Sequence, residues 1–160
     1  MNFRRRFSFP NVTYYCTVVT HQRQMIFTNS KYPRLFLTII KTKRKRYGFL
    51  VHEYVLMPDH YHIIISPAPE QNSGQVLHQV NGVFARMFNM QNKQVGRVFH
   101  PFFYDHVVRN TEDYARIAHY IHNNPVKANF VDKPEEYLWS SARNRLIDDH
   151  SVFRVDDPPF

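Results

Sequence analysis

Two histidines one residue apart, His60-Tyr61-His62, stand in the run Tyr54-Val55-Leu56-Met57-Pro58-Asp59-His60-Tyr61-His62-Ile63-Ile64-Ile65. Side chains on a strand alternate between faces, so residues two apart point the same way. On a strand, both imidazoles would project from one face, within reach of a single divalent metal ion. Tyr61 between them would keep the opposite face apolar. Two histidines leave a metal shell incomplete, and other ligands, water or substrate oxygens must finish it. An open shell is what a catalytic metal requires. The same spacing also serves a pair of packing histidines, so His-x-His alone does not decide between the two.

A second candidate pair lies downstream. Residues 112–124 read as a helix with the apolar stripe Tyr114, Ile117, Ala118 and Ile121. At about 100° per residue, Tyr120 and Asn124 fall to one side of the centre of that stripe. They are four residues apart and therefore neighbours on one flank. A tyrosine can act as a nucleophile when its phenol is deprotonated or metal-assisted, and an ordinary pKa of about 10 makes that help necessary. Asn124 offers a carbonyl oxygen beside it. The alternative is a half-buried surface tyrosine with a helix-stop asparagine.

These residues need elements to position them. Residues 12–20 are rich in β-branched and aromatic types and predict a strand. Ser30 is a candidate cap for a helix that carries Leu35, Ile39 and Ile40 on one side. That helix closes with the charged run Lys41 to Arg46 and stops at Gly48. Residues 49–56 and 60–66 predict two strands joined by Met57-Pro58-Asp59 as a hairpin. Residues 75–91 carry a helical stripe of Val76, Leu77, Val80, Val83, Phe84, Met87 and Phe88. Residues 95–99 and 103–108 are candidate strands. Thr111 would cap the Tyr120 helix, and Pro125 would end it. A short helix or turn is expected around Trp139. The order β-α-β-β-α-β-α predicts an α+β, ferredoxin-like fold: a central antiparallel sheet with helices packed on it. One domain is expected over residues 1–148, with a loosely ordered tail over 149–160 that ends in Asp156-Asp157-Pro158-Pro159.

Composition narrows the partners. With 43% hydrophobic residues in 160, the chain can bury a core and disorder is not the default. No apolar run approaches the roughly 18–20 residues of a membrane span. Arg4-Arg5-Arg6 is not followed by an apolar signal core. The lone Cys16 excludes an internal disulfide and a cysteine-rich zinc site. The chain therefore reads as intracellular. A formal charge of +8 and a pI of about 9.7 favour a polyanionic partner. The 14 Phe and 10 Tyr supply rings that could stack on bases, although for any single ring a place in the core is the simpler reading.

The motifs combine into a resemblance. Met57-Pro58-Asp59-His60-Tyr61-His62, then Phe102 to Asn110, then Asp113-Tyr114, then Tyr120-Ile121-His122-Asn123-Asn124-Pro125-Val126-Lys127 follow in an order and spacing similar to REP-associated tyrosine transposases. These belong to the single-tyrosine branch of the HUH endonucleases, in which U stands for a hydrophobic residue. The likeness runs from about Arg5 to about Ala142, and Trp139-Ser140-Ser141 also fits. It implies an HUH fold, in agreement with the element order. It also places the metal-binding histidine pair on His60 and His62, the nucleophile on Tyr120, and the residue completing the metal shell on Asn124. Transposon-borne relatives often carry glutamine at that last place; asparagine is a pattern of the REP-associated group.

The resemblance further implies a divalent cofactor, Mg²⁺ or Mn²⁺, and cleavage of single-stranded DNA through a 5′-phosphotyrosine. The implied substrate is a palindromic repeat folded as a hairpin beside a short single-stranded guide. The implied setting is the bacterial cytoplasm near the nucleoid, with no membrane partner and either a monomer or a homodimer at work. Candidate DNA contacts are Arg4, Arg5, Arg6, Lys41, Lys43, Arg44, Lys45, Arg46, His106 and Arg109. His106 is expected to be structural or phosphate-contacting, with Asp105 facing away from it. His119 and His122 are expected on exposed helix surface. Two competing functions are a non-catalytic hairpin-binding protein and a small basic RNA-binding domain.

Overall fold

A computed structural model describes residues 11–160, so Arg4, Arg5 and Arg6 lie outside the described residues. Its main elements are β1 (Thr13–Val19), α1 (Lys31–Tyr47), β2 (Leu50–Met57), β3 (His60–Ser66), α2 (Ser73–Asn92), β4 (Tyr104–Val108), α3 (Thr111–Lys127) and α4 (Ala142–Leu146). The four strands form one sheet in the order β2-β3-β1-β4, and every neighbouring pair is antiparallel. This is the expected ferredoxin-like α+β arrangement. Among the described residues, no helix is long and apolar enough to cross a membrane.

The two faces of the sheet carry different helices. On one face Cys16, Val18, Tyr61, Ile63 and Ile65 pack with Phe36 and Ile40 of α1 and Phe84 and Phe88 of α2. On the other, Val55, Met57 and Ile64 pack with Tyr114, Ile117, Ala118 and Ile121 of α3. Strand alternation sends Tyr61 to the first face and His60 and His62 to the second. The α3 helix therefore covers the sheet face that bears the histidines.

Local signals explain most boundaries, with several corrections. Gly48 ends α1 in the left-handed conformation at φ 75°, which a residue with a Cβ adopts only at a cost, and its N–H donates to Arg44 O. Ser30 makes no capping bond; Asn29 Oδ1 accepts from Lys31 N–H at 3.1 Å instead. Asn72 and Gln75 form a reciprocal capping box that starts α2. Asn110, not Thr111, caps α3 by accepting from Asp113 N–H at 2.9 Å. Pro125 does not end α3, which runs on to Lys127. Lying within the last turn, the proline removes only one helical N–H, and Ala128 N–H still reaches Asn124 O at 3.1 Å. Residues 95–99 form no strand; Phe99 makes one isolated bridge to Thr20. Gly96 at φ 104° interrupts the extended run.

The tail is also not loosely ordered. Phe153 and Val155 are buried in the core, and Asp156 pairs with the edge of β2 through Val51, its N–H donating to Val51 O at 2.7 Å. The two prolines and acids after residue 155 mask this apolar pair in the sequence.

Candidate functional site

The hairpin β2-β3 places His60 opposite Met57 and Val19, and His62 opposite Val55 and Thr17. The two imidazole centroids lie 4.9 Å apart. His62 is 4% exposed, and Tyr15 Oη and Thr17 Oγ1 each stand 2.9 Å from its Nδ1. Burial, with His60 adding, pushes the His62 pKa down to about 3, so the ring is neutral at physiological pH. With the Nδ1 proton given to the hydroxyls, the Nε2 lone pair points to α3. His60 Nδ1 lies 2.6 Å from Asp59 Oδ1, which leaves its own Nε2 available. A carboxylate behind a histidine is the usual way a protein orients a metal-binding imidazole.

The other half of the site comes from α3. The Tyr120 ring lies 5.4 Å from that of His62, and Asn124 Nδ2 is 3.3 Å from His62 Nε2. The helical phase expected from sequence thus brings all four residues together on one chain. Tyr120 is 41% exposed, so the residue is not sealed in the core. Tyr15 is different: burial, with Tyr120 and Tyr104 adding to it against a bond from Thr17, pushes its phenol up to about 12. Tyr15 is held as a protonated partner of His62. Lys127 Nζ sits 5.4 Å from the centroid of the Tyr120 ring. The i, i+7 spacing from Tyr120 was the available signal for this cation, two turns along the same helix.

The donor set fits a divalent cation. Two imidazoles on one strand face stand beside a side-chain amide that carries both a donor and an acceptor. Among the described residues, no group of three or more His, Cys, Asp or Glu could hold a metal, so a site here rests on two histidines, the amide and outside oxygens.

His122 corrects another expectation. It is nearly buried, and its Nε2 lies 2.7 Å from Glu53 Oε2. Glu53 is 1% exposed. It also accepts from Tyr114 Oη at 2.5 Å, Ser141 Oγ at 2.5 Å and Arg145 Nε at 2.9 Å. Glu53 faces α3 because β2 carries a bulge between Val51 and Glu53, which shifts the alternation by one residue. Nothing in the periodicity of the sequence marks that bulge. His119 is exposed, as expected.

The predicted DNA contacts divide. His106 faces away from Asp105 and bonds Asp113 Oδ2 at 2.8 Å; Asp105 bonds Ser73 Oγ at 3.0 Å on the other side. Asp113 also holds Arg109 at 3.4 Å and Arg116 at 2.6 Å, both guanidinium groups being largely exposed. Lys41, Lys45 and Arg46 are exposed on α1, across the sheet from His60 and His62, and Lys43 lies over the Tyr47 ring. Arg44 corrects the expectation of a free phosphate contact. Its guanidinium donates to Arg154 O at 2.9 Å and Asp156 Oδ2 at 3.1 Å, and it lies over the Phe153 ring. It anchors the tail.

Two of these carboxylates make stability depend on acid. Burial works to raise both the Asp113 and Glu53 carboxyls, but it is outweighed. His106, Arg116 and Arg109 bonds hold Asp113 well below the ordinary carboxylate range, and His122, Ser141 and Tyr114 bonds lower Glu53. A depressed folded-state pKa contributes stability that is fully present above the unfolded value and lost as pH falls through the folded one. The thermal midpoint is expected to drop progressively as pH falls below about 5, with the loss continuing below the ordinary carboxylate range. Asp113→Asn should lower the midpoint at neutral pH and flatten that acid dependence, as followed by circular dichroism.

The fold and the matched sequence together place this chain among the transposases. Residues 8–124 match the family described as "Transposase IS200 like", and the chain belongs to that family. It is 28% identical over 142 residues to the REP-associated tyrosine transposase of Escherichia coli (strain K12), across 88% of this chain and 82% of that relative. A solved structure of a REP-associated tyrosine transposase bound to a REP hairpin superposes with a TM-score of 0.77 at 21% identity, covering 99% of this chain and 92% of the other. That likeness establishes the fold.

Proposed function

We propose that this chain is a metal-dependent, single-strand DNA endonuclease and strand transferase that acts beside a palindromic hairpin through Tyr120. The observation that carries the reading is the position of Tyr120 against His62, with Asn124 on the same side, within one chain. Family membership and the hairpin-bound relative support the substrate class. His60, His62 and Asn124 would hold Mg²⁺ or Mn²⁺, which when bound supplies Lewis-acid polarisation of the scissile phosphate.

The remaining chemistry belongs to the side chains. Tyr120 Oη gives its proton to solvent and attacks phosphorus. An Oη–P bond forms, the P–O3′ bond breaks, and the leaving oxygen takes a proton to become a 3′-hydroxyl. A 5′-phosphotyrosine links protein and strand. An incoming 3′-hydroxyl reverses these bonds and returns Tyr120 to a phenol, so strands rejoin without an outside energy source. Lys127 places a positive charge over the Tyr120 ring, 5.4 Å from its centroid. The position of Tyr120 beside its own chain's histidine pair supports attack in cis, for which a monomer suffices.

A labelled single-stranded hairpin with its flanks, taken from repeats beside the gene, tests this on a denaturing gel. With Mn²⁺ the expected result is a covalent protein–DNA band and a shortened strand, both abolished by EDTA. An RNA hairpin of the same sequence should give neither. Tight binding to several such DNA hairpins without cleavage under any divalent ion would instead establish a non-catalytic hairpin-binding protein.

A further inference from the structure

We infer that the buried Glu53, through His122 and Tyr114, fixes the rotation of α3 and thereby positions Tyr120 and Asn124 on the histidine pair. The inference rests on the function proposed above and adds a positioning residue to it.

The geometry comes from the two flanks of one helix. At about 100° per residue, His122 lies roughly 160° around α3 from Asn124 and 200° from Tyr120. The buried stripe of Tyr114, Ile117, Ala118 and Ile121 lies between them. On one flank, Asn124 and Tyr120 meet His62 of β3. On the other, His122 Nε2 reaches Glu53 Oε2 of β2 at 2.7 Å, and from the stripe itself Tyr114 Oη, two turns earlier, donates to Oε1 at 2.5 Å.

Apolar burial is non-directional, so the Ile and Ala ridge on Val55 and Ile64 defines the rotation of α3 less sharply than polar bonds do. Hydrogen bonds to a buried carboxylate are directional and costly to break. A roll of about 20° moves a side-chain tip, about 6 Å from the helix axis, by about 2 Å. A misplacement of that order costs roughly 100-fold in rate. Glu53 is itself held from outside α3, by Ser141 Oγ at 2.5 Å and Arg145 Nε at 2.9 Å. Arg145 in turn donates to His52 O at the bulge and to Asp156 O of the tail. The clamp thus ties α3 to the β2 edge of the sheet, to which the tail is also bonded.

Five proteins test this: wild type, Glu53→Gln, His122→Gln, their double variant and Phe88→Leu. The last thins the core on the far side of the sheet and reports the effect of lost stability alone. Adduct formation is followed in single turnover at saturating hairpin, and rates are divided by the folded fraction. Hairpin affinity is measured separately in a Tyr120→Phe background. Glu53→Gln and His122→Gln are each expected to slow adduct formation about 10- to 100-fold with affinity within about threefold, and the double variant no more than the slower single. Phe88→Leu should react at the wild-type rate. If Glu53→Gln does not fold, His122→Gln decides.

Amide hydrogen exchange over residues 118–127 supplies a readout independent of activity. It should rise in Glu53→Gln and His122→Gln and not in Phe88→Leu. Wild-type-like rates and exchange in both clamp variants, or an equal slowing in Phe88→Leu, would overturn the inference. Absence of an adduct in wild type would overturn the proposed function instead, and the exchange arm would still decide the clamp.

Discussion

Tyr120→Phe is expected to abolish the covalent protein–DNA band, with a loss of more than roughly 10⁴-fold in cleavage, the scale seen when a nucleophile is removed. The substitution deletes one hydroxyl from a ring that is 41% exposed and whose edge-on contact with His62 it preserves. Its effect on stability should stay within about 0.5 kcal/mol, as for other exposed changes. Hairpin affinity, measured by filter binding, should stay within about threefold. The separation matters because a binding protein would show no change in either quantity. A residual adduct in the variant would assign the nucleophile elsewhere. Two other tyrosines stand near: Tyr15, buried and held protonated beside His62, and Tyr104, exposed with its ring 6.1 Å from Tyr15.

His62→Ala carries the second large effect, and it should act on two quantities at once. The substitution removes one of the two imidazoles and the partner of Asn124. Cleavage should fall by at least about 100-fold, more than the 10- to 100-fold typical of residues that only orient a ligand. Calorimetric titration with Mn²⁺ should lose its binding heat. Stability should fall as well, because Tyr15 Oη and Thr17 Oγ1 lose the buried nitrogen that both face. Leaving such groups underpaired costs about 1–3 kcal/mol, or several degrees in thermal midpoint for a chain of this size. Tyr120→Phe shares only the catalytic loss, so the two variants separate metal binding from nucleophilic attack.

Most of the site was legible because two periodicities are strict. The period of two puts His60 and His62 on one strand face whatever the rest of the chain does. The helical phase puts Tyr120 and Asn124 on one flank, because Tyr114, Ile117, Ala118 and Ile121 define the buried side without ambiguity. The element order and the Gly48 stop were readable for similar local reasons. What escaped depends on contacts far apart in sequence. The His122–Glu53 pair requires the β2 bulge, and a bulge leaves no mark in a run as uniformly buried as Val51 to Met57. The anchoring role of Arg44 requires a tail that folds back from more than 100 residues away. Asn110 displaced Thr111 as the cap of α3 by one position, a choice that residue preference alone does not separate. The α1 cations read as a cluster in sequence, yet the sheet stands between them and the histidines. Any role for them in holding DNA must therefore involve a strand that passes around the sheet edge.

In the proposed reaction Tyr120, and no other residue, becomes joined to a 5′-phosphate. The most direct measurement is to trap the adduct with a labelled hairpin and Mn²⁺, digest the DNA and the protein, and locate the labelled peptide by mass spectrometry. The expected result is a nucleotide phosphate on the peptide that contains Tyr120, and on that residue alone. A label on Tyr15, Tyr104 or a serine, or cleavage that proceeds with no protein-linked phosphate, would contradict it.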